Sequence, residues 1–268
     1  MINKVSPFLR WAGGKRWLTR HTDEIIPSDG FNNYYEPFLG GGAFFFNVCP
    51  NNAILSDLNS ELIDTYKSIK ENVAGVIAIL ETYENTESFY YKIREKKPSS
   101  KLERAARFIY LNQTSFNGIY RVNLNGKYNV PYGYRKKNFL DKAALNSASK
   151  RLKNAQLHCE DFMFVKDKIR QNDLVFLDPP YTVSHNNNGF IKYNQKLFSL
   201  EDQYRLSELI DHIKSVNAFY ILTNAAHHKI EEIFSKGDRM LEKRRSSLIG
   251  GDKAVRGHTT EFVFTNSY

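Results

Sequence analysis

An apolar run that ends in two successive prolines constrains this chain more than any other feature. Leu174-Val175-Phe176-Leu177 reads as a short strand, and Asp178-Pro179-Pro180-Tyr181 follows it without a gap. Proline lacks the N–H that a strand ladder needs, and two in a row stiffen the turn. An aspartate and a proline carbonyl are thereby delivered to the carboxyl end of a sheet strand, where open α/β folds bind their ligands. Asp-Pro-Pro alone is also compatible with an ordinary strand-ending turn.

A second motif lies upstream. Tyr35-Glu36-Pro37-Phe38-Leu39-Gly40-Gly41-Gly42 reads as a strand running into glycines, which let a backbone approach a ligand closely. Asp57 follows Gly40 by 17 residues and closes the apolar burst Ala53-Ile54-Leu55-Ser56. An acidic residue there can accept hydrogen bonds from the two ribose hydroxyls of a nucleoside. Ala12-Gly13-Gly14-Lys15 resembles the tail of a phosphate loop, but no strand precedes it and the first glycine is missing, so that reading is the weaker one.

Around these motifs, strands and helices alternate at both ends of the chain. Ala43 to Val48 starts a helix; Leu157-His158-Cys159, Phe219 to Leu222 and Glu261 to Phe264 have strand character; a helix spans Glu201 to Lys214. The middle is helical and irregular. Leu62, Ile63, Tyr66 and Ile69 make one helix face, Val73, Val76, Ile77 and Leu80 another, and further helices run near Leu102 to Tyr110 and Asp141 to Lys153. Thr114 to Tyr134 is rich in Asn, Gly and Tyr and suits a loop or a β-hairpin around Asn125-Gly126. The expectation is an α/β, doubly wound sheet formed by residues 1–58 and 154–268, with a mostly helical domain inserted at 59–153.

Charge falls unevenly on this plan. Lys92 to Lys153 carries 16 Lys/Arg against 3 Asp/Glu, while the rest of the chain is net acidic although the whole is +9. A solvated helical face would explain such a segment, but its concentration favours a phosphate-binding surface. Two cysteines, Cys49 and Cys159, have no CxxC partner and read as buried thiols, and no histidine has metal-ligand spacing, so no metal is expected. No apolar run is long enough to cross a bilayer and the N-terminus shows no secretory h-region, which points to the cytosol.

The Asp-Pro-Pro-Tyr turn suits chemistry on an amino group. Nitrogen conjugated to a purine ring is a poor nucleophile. The Asp178 carboxylate can accept one of its N–H groups and the Pro179 carbonyl the other, holding it in line with an electrophile. Pro180 stiffens the turn, and Tyr181 can stack on the base for roughly 1–3 kcal/mol.

Taken together, these motifs resemble the Dam-type, D12-class family of DNA adenine-N6 methyltransferases, in order and over nearly the full length. Phe8-Leu9-Arg10-Trp11-Ala12-Gly13-Gly14-Lys15 looks like the family's N-terminal cofactor motif, Glu36 to Gly42 like its glycine motif, and Asp178-Pro179-Pro180-Tyr181 like its catalytic tetrapeptide. The resemblance implies S-adenosylmethionine as cofactor. Trp11 and Lys15 would hold its methionine end, Phe38, Gly40 and Gly42 would line the site, Asp57 would take the ribose, Asp161 the adenine, and Asp178 would lie beside the reacting centre. Adenine in double-stranded DNA would be the substrate, flipped from the stack and methylated by direct in-line displacement. A monomer is adequate for this, in a bacterial, archaeal or virus-encoded setting, with or without a restriction partner.

Phe116-Asn117-Gly118-Ile119-Tyr120-Arg121 and Asn129-Val130-Pro131-Tyr132-Gly133 resemble the family's DNA-reading hairpin. By that likeness Phe116 wedges into the stack, Asn117 contacts the site, Arg121 reads a guanine edge and Pro131 meets a thymine methyl, which points to GATC. Arg10 stands where many members carry Lys and would reach the first base. Arg135-Lys136-Lys137 would touch phosphates. On composition alone, the same aromatic residues would serve a packed hairpin equally well. His227-His228 is expected at the pocket rim, the Ser184 to Gly189 loop with His185 could order over an extruded base, and Lys243-Arg244-Arg245-Ser246 reads as a phosphate-facing turn. The same tetrapeptide would also serve cytosine N4 or an RNA adenine, and the basic segment alone would suit a DNA-binding regulator without catalysis.

Overall fold

Seven strands form the sheet of the computed structural model, which describes residues 5–123, 125–181, 198–246 and 258–267. They are Tyr34–Glu36 (β1), Ala53–Ser56 (β2), Ala155–His158 (β3), Leu174–Leu177 (β4), Phe219–Ala225 (β5), Arg239–Ser246 (β6) and His258–Thr265 (β7). Their order is β3-β2-β1-β4-β5-β7-β6. β1 runs parallel to both β2 and β4, and β4 parallel to β5, while β7 is antiparallel to β5 and β6. From β1 the chain steps outward to β2 and β3, and from β4 the other way to β5, with β7 lying between β5 and β6. That reversal marks the crevice at which a doubly wound sheet receives its ligand, beyond the ends of β1 and β4.

The helices are Thr22–Ile25 (α1), Ala43–Val48 (α2), Ser60–Leu80 (α3), Glu87–Glu95 (α4), Lys101–Thr114 (α5), Lys142–Leu152 (α6), Leu200–Ser215 (α7) and His228–Phe234 (α8). The chain forms two compact units, one of residues 1–19, 39–51 and 56–159, the other of residues 20–38, 52–55 and 160–268.

In the second unit, β4 is buried at all four positions, as a central parallel strand must be. Val175 and Leu177 share a core with Tyr35, Tyr220 and Leu222 and with Leu206, Leu209, Ile210 and Ile213 of α7. The spacing of those α7 residues places them on one helical face. A Ser199–Asp202 capping box starts α7.

The first unit is mainly helical. The two apolar faces legible after Asn59 belong to two halves of α3, separated at Asn72 (φ −149°, ψ 68°), whose side chain accepts from Gly75 N at 2.9 Å and so caps the second half. Helix α4 has no counterpart in the sequence reading, because its adjacent tyrosines and charges blur the helical period. Thr86 caps it, accepting from Phe89 N. Ser100 and Glu103 form a capping box for α5, and Asp141 caps α6.

Two expectations change, and a third is not tested by the described residues. Lys243-Arg244-Arg245-Ser246 is not a turn but the end of β6, paired with His258 to Glu261 of β7. Cys159 is exposed rather than buried, because β3 stops at His158; Cys49 is buried. The Ser184 to Gly189 loop lies outside the described residues.

Candidate active site

In the first unit, the turn after β1 is built on close approach. Gly40 and Gly42 adopt positive φ of 46° and 63°, and Gly42 N donates to Leu39 O at 2.7 Å. A β-carbon on Gly40 would lie 2.8 Å from Cδ1 and Nε1 of Trp11, so only glycine admits the indole there. Asp57 ties the same turn to the end of β2: Oδ2 accepts from Gly40 N and Oδ1 from Asn59 N, both at 2.9 Å. Each carboxylate oxygen has capacity for a further donor. Burial raises the Asp57 pKa above the ordinary range, against the two N–H groups, which lower it. The neighbouring Ser56 hydroxyl is buried and has no hydrogen-bond partner among the described residues. An orphaned hydroxyl beside a doubly held carboxylate fits a polar ligand at this strand end. Lys15 is buried, and its ammonium donates to Gly13 O at 2.9 Å.

The segment expected to read DNA belongs to the same unit. Phe116–Gly118 forms a 3₁₀ turn in which Asn117 takes a left-handed conformation (φ 55°, ψ 6°) and Gly118 follows at φ 63°. Phe116 is exposed, and its N–H donates to Pro131 O at 2.9 Å, joining the two legs. Antiparallel bridges Ser115–Tyr132 and Val122–Tyr128 continue the pairing as far as the turn at Asn125-Gly126, which Asn123 fastens by accepting from Asn125 N and Lys127 N. Arg121 is exposed; its Nε donates to Asn129 Oδ1 at 2.8 Å. Nη2 also donates to Asn129 O, at 3.4 Å, so both contacts fasten the guanidinium to the second leg of the hairpin. Arg10 Nη1 is buried without a hydrogen-bond partner among the described residues. Burial, with the nearby charges of Arg135 and Arg16, lowers its pKa. A buried, unpaired guanidinium nitrogen is costly unless an acceptor arrives. Pro131 is exposed, and Arg135 is half-buried with its carbonyl accepting from Asn85 Nδ2.

The second unit carries the other predicted residues. Phe38 stacks on Phe162 with centroids 5.3 Å apart and meets Phe198 edge-on at 5.7 Å. Asp161 Oδ1 accepts from Met163 N at 2.9 Å and from Arg205 Nη2 at 2.7 Å, and the Arg205 guanidinium lies 4.8 Å from the Phe162 ring. At the end of β4, Asp178 Oδ1 accepts from Thr223 Oγ1 at 2.8 Å. Pro179 is buried and Pro180 exposed. The Tyr181 hydroxyl donates to Glu261 Oε2 at 2.5 Å. His227 caps α8, its Nδ1 accepting from Lys229 N, and lies 4.3 Å from the His228 ring; burial and His228 lower its pKa.

Sequence reading missed Thr223, Glu261, Arg205 and Asn129. For Glu261 a signal existed. An acid beside the apolar run Phe262-Val263-Phe264, in the buried stretch Glu261 to Thr265, needs a donor. Thr223 had none, because its partner Asp178 lies on another chain segment, while Asn129 was named within the expected hairpin without a role of its own. Among the described residues, no group of three His, Cys, Asp or Glu could hold a metal ion, and no helix is long and apolar enough to cross a membrane.

A family model described as D12 class N6 adenine-specific DNA methyltransferase matches residues 11–248. A Type II methyltransferase of Lactococcus lactis subsp. cremoris, M1.LlaDCHI, is 35% identical over 98% of this chain and 97% of its own length. The Type II methyltransferase M.MjaIII of Methanocaldococcus jannaschii is 34% identical over 83% of this chain and 85% of its own. The DNA adenine methylase of Escherichia coli (strain K12) is 30% identical over 92% and 90% respectively.

Proposed function

The chain belongs to the D12 class N6 adenine-specific DNA methyltransferase family, and we propose that it methylates the adenine of GATC in double-stranded DNA from S-adenosylmethionine, with the target base turned out of the duplex. Membership sets aside cytosine, RNA and a purely regulatory role as the family's chemistry. When bound, S-adenosylmethionine supplies a methyl carbon made electrophilic by its sulfonium sulfur. The residues present fit it. Trp11, Lys15 and the Gly40–Gly42 turn would hold its methionine end, Asp57 its ribose, and Phe38 and Asp161 its adenine.

Asp178 does the central work on the substrate. Its carboxylate accepts one N–H of the adenine amino group and the Pro179 carbonyl the other, which draws the nitrogen toward tetrahedral geometry and aims its lone pair. Thr223 fixes the Asp178 carboxylate by its hydrogen bond. Tyr181 offers a ring face to the extruded base. On the duplex, Arg121 takes guanine O6 and N7, Arg10 the first base, Phe116 the vacated stack, and Asn117 and Pro131 neighbouring edges, while Arg135 meets phosphate.

The observation that carries this reading is the placement of Asp178, held by Thr223, at the end of β4, the neighbour of β1 where strand order reverses. Transfer of tritiated methyl from S-adenosylmethionine to a GATC duplex, a duplex lacking GATC, and RNA tests it. Label should enter the first alone, at adenine N6. Equal labelling of both duplexes overturns the site assignment, and no labelling of any DNA overturns the activity.

A further inference from the structure

Tyr120 immediately precedes the expected base reader Arg121, yet its side chain does not project outward as Phe116 does. It is half-buried within the first unit. Its ring stacks on Trp11 with centroids 5.9 Å apart and planes inclined by 19°, and packs against Phe108 at 5.2 Å. Its hydroxyl donates to Glu61 Oε2 at 2.8 Å. Glu61 lies in the first turn of α3, four residues beyond Asp57, and Trp11 is the residue against which Gly40 is fitted. One side chain of the expected reading segment therefore touches the N-terminal motif assigned to the cofactor by its face and, by its hydroxyl, the first turn of α3 just beyond Asp57.

Two further contacts join the same stretches of chain. Asn112 of α5 is buried; its Oδ1 accepts from Arg10 N at 2.8 Å, and its Nδ2 donates to Arg10 O at 2.7 Å and to Gly118 O at 3.4 Å. A β-carbon on Gly118 would fall 2.7 Å from Arg10 Nη1. Arg10-Trp11 and Gly118 to Tyr120 are thus laid side by side with Asn112 clasping both. A shift of either stretch is felt by the other, because close-packed groups move together.

We propose that Tyr120 is a positioning residue that couples occupancy of the cofactor site to target reading, the Trp11 stack and the Glu61 hydrogen bond making the placement of Arg121 depend on that of Trp11. This rests on the assignment of Trp11 and Asp57 to S-adenosylmethionine above. Such coupling is reciprocal: whatever the duplex adds to cofactor affinity, the cofactor adds to duplex affinity. Its source is ordering. A ligand that fixes Trp11 also fixes Tyr120, so the second ligand meets a segment whose freedom is already reduced.

Calorimetric titration of the full chain with S-adenosylhomocysteine, alone and with saturating GATC duplex, tests this. In the wild type the duplex should tighten binding about tenfold. Tyr120→Phe keeps the stack and should keep most of that factor. Tyr120→Leu removes the flat face, and the factor should fall to about one while its affinity for S-adenosylhomocysteine alone stays near wild type. Should Tyr120→Leu unfold, Tyr120→Met, which fills the space beside Phe108 without a flat face, carries the same measurement. An undiminished factor in the Leu or Met variant overturns the proposal, as does a wild-type affinity indifferent to the duplex. A wild type that binds duplex but no S-adenosylhomocysteine overturns the cofactor assignment itself, and the coupling with it.

Discussion

Tyr181 donates its hydroxyl to Glu261, a carboxylate with no solvent exposure, over 2.5 Å. The ring that would lie against an extruded adenine is thus tethered to the strand next to β5. Tyr181→Phe retains the ring and cuts the tether. A hydrogen bond to a buried charge is worth about 1.5–3 kcal/mol, so kcat should drop roughly 10–100-fold with little change in KM for DNA. Tyr181→Ala should lose more, because stacking goes as well. Single-turnover kinetics separate the two, and a Phe variant as fast as wild type would show that the tether does not place the ring.

Thr223 gives the analogous test for Asp178. Thr223→Val preserves shape and removes the donor at 2.8 Å. The carboxylate then gains a rotational choice, and the chemical step should slow about tenfold, as expected for one lost charge-assisted hydrogen bond. Asp178→Ala should abolish turnover and leave duplex binding intact. Filter binding beside methyl-transfer rates distinguishes these outcomes; normal methylation by Asp178→Ala would remove its catalytic role.

Asp57 should give cofactor binding a pH dependence. Burial raises its pKa, so the folded chain holds this proton more tightly than the unfolded chain does. Its contribution to stability is therefore fully present below the ordinary aspartate value of about 4 and is lost as pH rises through the raised value. Ligand affinity has the opposite sign, because ribose hydroxyls donate to the ionised form. Affinity for S-adenosylhomocysteine should weaken as pH falls, starting at a higher pH than an ordinary aspartate would dictate. Asp57→Asn should bind more weakly and without that limb. A flat wild-type profile through the acid range would count against the ribose assignment.

Arg121 and Asn129 should separate sequence choice from general affinity. Arg121→Ala should relax discrimination at one base pair by about 1–3 kcal/mol, and Asn129→Ala, which frees Nε, should do so more mildly. Arg135→Ala should weaken all sequences alike. With about five phosphate contacts the log–log salt slope would be near −4.5, and this variant should reduce it by about 0.9. Binding isotherms on cognate and single-mismatch duplexes at several salt concentrations provide the comparison.

Where a residue's role depends on its own strand or turn, the sequence was a good guide. Strand β2 and helix α2 have the bounds their apolar runs imply, and β4 ends at the residue before Asp178, because the prolines leave it no way to continue. Features that depend on distant pairing were hidden. β6 is rich in charge and reads as a turn until β7 is laid beside it. Thr223 and Asn112 look like unremarkable polar residues until the fold brings Asp178 to one and Arg10 to the other. Tyr120 was legible as an aromatic in a basic segment, but its inward orientation was not.

If Asn117 contacts the target as proposed, its left-handed backbone would limit how this enzyme acquires a new one. Only glycine, asparagine and aspartate adopt that conformation at little cost, and Gly118 beside it is confined by Arg10. Most single-codon changes at residue 117 would therefore strain the loop before any new base could be greeted. On the proposed reading, drift in specificity would have easier routes through Arg121 and Asn129, where the main chain imposes no such toll.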